Sequence, residues 1–147
     1  MPYDILDDHN HDRLADALRE QRWVVACLCA DWCGSCREYA ASFAAWAEKY
    51  PQHYFVWIDI EDQAALVGDL DVDNFPTLLM QHGACVSFFG PMEPDTRLAD
   101  RLLQALADRS DEDRQREADS TEQRRRWQTE CDLQQRLASL SGETGEA

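Results

Sequence analysis

Basic charge is scarce in this chain: 14 lysines and arginines stand against 29 aspartates and glutamates, and Lys49 is the only lysine. The net charge of −15 and pI of about 4.4 repel phosphodiester backbones and anionic lipid headgroups, which excludes nucleic acid and a membrane surface as partners. Long apolar runs are also missing; no window of about 18 apolar residues is there to cross a bilayer. Met1-Pro2-Tyr3-Asp4-Ile5-Leu6-Asp7-Asp8 lacks the basic leader and uninterrupted apolar stretch of a secretory signal, so a cytoplasmic protein is expected. Histidine is sparse and scattered. His9, His11, His53 and His82 show no His-x-x-x-His spacing, and no metal site is expected from them.

What is present suffices for one ordinary core: 147 residues, 44% of them hydrophobic. Tyr3 to Leu6 predicts a short edge strand, and Asp7-Asp8-His9-Asn10 supplies capping residues for a helix with Leu14, Ala15 and Leu18 on one face through about Glu20. Trp23 to Ala30 is mostly apolar rather than alternating, the pattern of a strand covered on both sides. Tyr39, Phe43, Trp46, Ala47 and Tyr50 recur at helical spacing from Cys36 until Pro51 stops the helix. Tyr54 to Ile60 reads as a second central strand, Ala64 to Asp69 as a short helix, and Phe75-Pro76-Thr77-Leu78-Leu79-Met80 as a strand opening on proline, where no ladder donor is lost. His82-Gly83 turns into an antiparallel strand, Ala84 to Phe89, which Gly90-Pro91 breaks. Asp95 or Thr96 then caps a helix carrying Leu98, Leu102, Leu103 and Leu106 to about Asp108. Alternation of strands and helices defines an α/β class.

The composition changes after this compact domain of residues 1–108. Residues 109–147 are a charged extension in which Ala118 is nearly the only apolar residue before Trp127, Cys131, Leu133, Leu137 and Leu140 restore a sparse apolar face. Two readings stay open. So few apolar residues do not offset ordering entropy, which favours a solvated, frayed helix or disorder. The other is a helix that sets Trp127 and the leucines against the domain, another protein or a second copy, giving a homodimer through the tail.

Four thiols fall within ten residues, in Cys27-Leu28-Cys29-Ala30-Asp31-Trp32-Cys33-Gly34-Ser35-Cys36. Clustering this tight makes a poor long-range disulfide framework and points to redox or metal chemistry. Cys33 and Cys36 form a Cys-x-x-Cys pair where a buried strand hands over to a helix. A thiol at a helix start meets unpaired N–H groups and the positive end of the helix dipole, both of which favour thiolate, so Cys33 is the expected nucleophile. Cys36, one turn further in, is the expected resolving thiol. Cys27 and Cys29 share one strand face and read as small buried hydrophobes outside the catalytic pair. A zinc or iron–sulfur ligand set from all four sulfurs is set aside, because the strand direction carries Cys27 toward the core and away from the helix start. Cys85 and Cys131 read as packing residues. Asp31, beside Cys33, would oppose the helix dipole.

Trp32-Cys33-Gly34-Ser35-Cys36, the helix that follows it, the Phe75-Pro76-Thr77 segment and the element order over about residues 3–108 resemble the thioredoxin family. The resemblance implies a thioredoxin fold, a central mixed β-sheet flanked by helices, here with an extra polar C-terminal helical tail. It implies a cis Phe75–Pro76 peptide facing the thiols. It also implies a groove in which Trp32, Gly34, Ser35, Phe75, Pro76 and Thr77 hold an extended partner segment. The implied activity is protein-disulfide reduction through a mixed disulfide, with no dissociable cofactor and with electrons renewed by a flavin-dependent thioredoxin reductase.

Departures from the family pattern carry their own expectations. The position of the family aspartate, six residues before the nucleophile, holds Cys27, and that of its partner lysine holds Trp57. Deprotonation of Cys36 then falls to water, Cys27, Asp31 or Asp59, and slower turnover or a narrower partner range is expected. Ser35 replaces the proline of the motif, which makes the pair more oxidising. Phe75 enlarges the apolar rim. Ala41 replaces a helix-kinking proline, so a straighter helix is expected. The missing aspartate and lysine favour a rival reading, a thioredoxin-fold adaptor or chaperone-like module that uses its acidic surface, Phe75 rim and tail to bind a protein.

Overall fold

The structure, a computed structural model, describes residues 2–145 except Asp31, Asp71 and Asp73. In chain order its elements are β1 (Asp4–Ile5), α1 (His11–Arg19), β2 (Trp23–Cys29), α2 (Gly34–Glu48), β3 (Tyr54–Asp59), α3 (Ala64–Val67), β4 (Thr77–His82), β5 (Cys85–Pro91), α4 (Thr96–Asp108), α5 (Asp111–Ala118), α6 (Glu122–Glu130) and α7 (Leu133–Gly145). The strands form one mixed sheet in the order β1-β3-β2-β4-β5. β3 runs parallel to β1 and β2, whereas β4 is antiparallel to both β2 and β5.

β2 lies at the centre, buried at every position, because both of its faces are covered. Val24, Ala26 and Leu28 pack with Leu14 and Leu18 of α1 and Leu66 and Val67 of α3. Trp23, Val25, Cys27 and Cys29 join Tyr39, Phe43 and Trp46 of α2 and Ala99, Leu103 and Leu106 of α4. Each large apolar side chain so buried contributes about 1.5–3 kcal/mol, which is why a near-continuous apolar run forms this strand. α2 runs through Ala41 as one helix of 15 residues. Asp95 caps α4 by accepting the Arg97 N–H. At the β4–β5 turn Gly83 adopts φ +59°, where a Cβ would be strained.

Two strand boundaries differ from expectation. Gly90-Pro91 does not break the last strand: β5 runs on to Pro91, with Gly90 and Pro91 in register with Leu78 and Thr77, since a proline is tolerated at the end of an outer strand. β4 begins at Thr77 rather than Phe75, which leaves Phe75 and Pro76 in the preceding loop. Pro76 has no N–H for the ladder, and its carbonyl accepts the Met92 N–H at 3.1 Å instead.

The extension is three helices docked on the domain. On α5, Arg114 is 8% exposed, its guanidinium 5.3 Å over the Trp23 ring and hydrogen-bonded to the Leu106 carbonyl and the Asp111 carboxylate. On α6, the Gln128 side chain donates to the Val86 carbonyl at 2.8 Å and accepts the Val86 N–H at 2.9 Å, pairing with the outer strand β5 as a neighbouring strand would. Cys131, Leu133 and Leu137 enter the core that contains α1 and α3, with Trp127 and Leu140 packed against it. The start of α7 is fixed by a buried polar pair. Gln81 donates to Asp132 Oδ1 at 2.6 Å and accepts the Leu133 N–H at 3.0 Å. The apolar residues that the sequence left open between solvent, a partner and the domain thus lie in the domain's core or packed against it.

Candidate functional site

The site forms where β2 ends and α2 begins. Cys33 is the N-cap residue of α2, with extended backbone (φ −86°, ψ 119°), and its side chain is partly exposed. Ser35 Oγ lies 3.2 Å from Cys33 Sγ. The Ser35 hydroxyl, the backbone N–H groups of Cys36 and Ser35 and the Arg37 charge hold this thiol below the ordinary cysteine range, against a smaller opposing effect of burial. Cys33 is thus an accessible thiol biased toward thiolate.

Cys36, the third residue of α2, is buried, and its sulfur is bonded to Cys29 with a Cα–Cα separation of 5.8 Å. Cys33 is free. The expected partner of Cys36 was Cys33, and Cys29 was expected to be packing only; the structure differs on both points. The reason is strand register. Cys27 and Cys29 point to the sheet face that α2 covers, and Cys36 turns inward from the first helical turn to meet them. The alternation of Cys27 and Cys29 was visible in the sequence, but which helix lies over that face was not.

Cys27, also fully buried, has its sulfur 3.7 Å from that of Cys29. Burial pushes its thiol well above the ordinary range. Across the sheet it stands in register with Trp57, whose ring belongs to an aromatic group with Tyr3 and Phe43. No carboxylate–ammonium pair stands at these two positions. Asp59 is the register partner of Cys29, but its carboxylate accepts the Glu61 and Asp62 N–H groups at 2.8 and 3.0 Å. Asp31, the other carboxylate expected here, lies outside the described residues. The Tyr39 hydroxyl, buried against this face, has no hydrogen-bond partner among the described residues.

An apolar rim borders Cys33. Trp32 is 65% exposed, and its ring meets that of Phe75 edge-on at 5.7 Å between centroids. The Phe75–Pro76 peptide is cis. Thr77 is buried and donates its hydroxyl to the Asn74 carbonyl at 2.6 Å. Gly34 is exposed, with open space where a side chain would stand. Among the described residues no three His, Cys, Asp or Glu side chains form a metal-binding group, and no helix is long and apolar enough to cross a membrane.

A five-stranded mixed sheet between helices, with a cysteine at the N-cap position of the helix after the central strand and a cis-proline loop beside it, defines a thioredoxin-fold cysteine protein. Comparison with known proteins agrees. The thioredoxin family model matches residues 4–104. Thioredoxin H4-2 of Oryza sativa subsp. japonica is 30% identical over 100 residues, covering 67% of this chain and 74% of that protein. Thioredoxin-2 of Pyricularia oryzae is 30% identical over 71 residues, covering 48% of this chain but only 42% of that protein. Among solved structures, a poplar thioredoxin h superposes with a TM-score of 0.63 at 20% identity, covering 75% of this chain and 100% of that one. The chain belongs to the thioredoxin family.

Proposed function

We propose that the protein is a thiol–disulfide oxidoreductase that reduces protein disulfides through Cys33 and Cys36. The observation that carries this reading is the partly exposed, thiolate-biased Cys33 at the start of α2, beside the Trp32–Phe75 rim. The Cys33 thiolate attacks one sulfur of a substrate disulfide, and the other substrate sulfur leaves and takes a proton. The Cys36 thiolate then attacks Cys33 Sγ, releases the second substrate thiolate and leaves a Cys33–Cys36 disulfide. Trp32 and Phe75 flank the partner chain, the backbone around Pro76 and Thr77 holds it by strand-like hydrogen bonds, and the open space at Gly34 and Ser35 admits it. No dissociable cofactor takes part. Electrons return from a thioredoxin reductase, and the setting is the cytoplasm.

Insulin reduction under a dithiol reductant tests this reading. Wild type should precipitate the insulin B chain, Cys33→Ser should be inactive, and Cys36→Ser should accumulate a mixed disulfide. An inactive wild type that still binds partner protein, with binding intact in both variants, would replace this reading with the adaptor, which the Cys27 and Trp57 substitutions favour.

A further inference from the structure

The geometry points to Cys29 as a third redox cysteine: the disulfide held by Cys36 moves between Cys33 at the surface and Cys29 in the core, by exchange at the Cys36 sulfur. The inference rests on the reading of Cys33 and Cys36 as a working dithiol and extends it inward. Cys36 is the pivot. Its sulfur is bonded to Cys29, while Cys33 stands three residues back, one helical turn away, at the N-cap of the same helix.

The step balances without an added oxidant or reductant. The Cys33 thiolate attacks Cys36 Sγ, the Cys29–Cys36 bond breaks, the Cys33–Cys36 bond forms, and Cys29 departs as a thiolate that takes a proton from water. In the reverse direction Cys29 gives up its proton to water and Cys33 is the leaving thiolate. The two ends differ in what they present. With the bond on Cys29, which is 0% exposed, the disulfide is hidden and the nucleophile is free. With the bond on Cys33, the nucleophile is masked and the disulfide faces a reductase.

The surroundings set the direction. Ser35 and the helix-start N–H groups favour Cys33 as a thiolate, whereas the apolar face that buries Cys29 favours a neutral sulfur there, the same burial that pushes the neighbouring Cys27 thiol up. Exchange toward Cys29 therefore expels the better leaving group. Cys27, 3.7 Å from Cys29, is placed to give an S–H hydrogen bond to the sulfur when it is released.

The chain permits a direct test by peptide mapping. The full-length protein is oxidised with one equivalent of diamide at a series of pH values, quenched in acid, blocked with N-ethylmaleimide in denaturant, and cleaved after arginine and before aspartate. Residues 23–30 and 31–37 separate, so Cys29–Cys36 joins two peptides and Cys33–Cys36 closes a loop within one. Wild type should yield both, with the joined form rising severalfold from pH 5 to pH 8 as Cys33 ionises. Cys33→Ser should give the joined form only, and Cys29→Ala the internal loop only. Absence of the joined pair from both wild type and Cys33→Ser, while wild type still reduces insulin, would overturn the inference and spare the proposed function. A joined pair constant at every pH during turnover would make Cys29–Cys36 a fixed staple, and would equally overturn it. Exchange between the two forms without insulin reduction would overturn the proposed function alone.

Discussion

Leu133 anchors the extension to the domain, and its truncation measures how tightly. It is fully buried at the first position of α7, among Leu14, Leu18, Leu79 and Val86, and its backbone N–H is held by Gln81. Leu133→Ala keeps that hydrogen bond and removes only packing. Leucine-to-alanine changes at such positions cost about 2.7–5 kcal/mol, depending on how far the site collapses. For 147 residues the unfolding entropy at the midpoint is about 0.3 kcal/mol/K, so the melting temperature should fall by about 9–16 °C. Thermal unfolding under reducing conditions, followed by far-UV circular dichroism, gives the number. Leu98→Ala on α4 is the control, since that leucine is 53% exposed; its shift should stay within about 2 °C. A shift for Leu133→Ala no larger than the control's would show that the extension is solvated, and the account of the docked helices would be wrong.

Three further outcomes follow from the site and its surroundings. The rate of Cys33 alkylation in the reduced protein should level off at a lower pH than that of free cysteine, and Ser35→Ala should move the midpoint up; a midpoint at or above that of free cysteine refutes the thiolate bias. Tyr39→Phe should stabilise the fold by about 1 kcal/mol in urea titration, because it removes a buried hydroxyl that has no partner among the described residues; a destabilised variant would reveal a bond to that oxygen. Burial, with the nearby Arg22 and Arg114 charges, holds His53 and His82 below the ordinary imidazole value, so the unfolded chain binds more protons and their contribution, present above about pH 6.5, is lost as pH falls through the lower folded values. The double variant His53→Gln/His82→Gln should flatten the decline in melting temperature between pH 7.5 and 5.5, and an unchanged slope would count against this linkage.

The parts of the fold legible in the sequence are those set by local pattern. β2 shows itself by an unbroken apolar run, α2 by aromatics at helical spacing, and the turn at Gly83 by residue type. Cys33 at a strand-to-helix junction is likewise a local fact. What escaped depends on residues far apart in the chain. Gln81 and Asp132 are separated by 51 positions, and a lone glutamine in an apolar strand carries no sign of the carboxylate that meets it. Cys29 escaped for a related reason: strand alternation gives its face, but only packing shows that Cys36 lies across from it. The extension hid its apolar positions among charges; Cys131, Leu133 and Leu137 are few, and their weight comes from the core they enter.

Gln128 has a consequence for assembly. Occupying both backbone groups of Val86 with one side-chain amide turns the outer margin of the sheet into an occupied port. An incoming extended chain meets that rung of the ladder already taken, so fibre-like stacking and copy-to-copy strand exchange are obstructed at Val86. The opposite margin, β1, is two residues long and too short to template either.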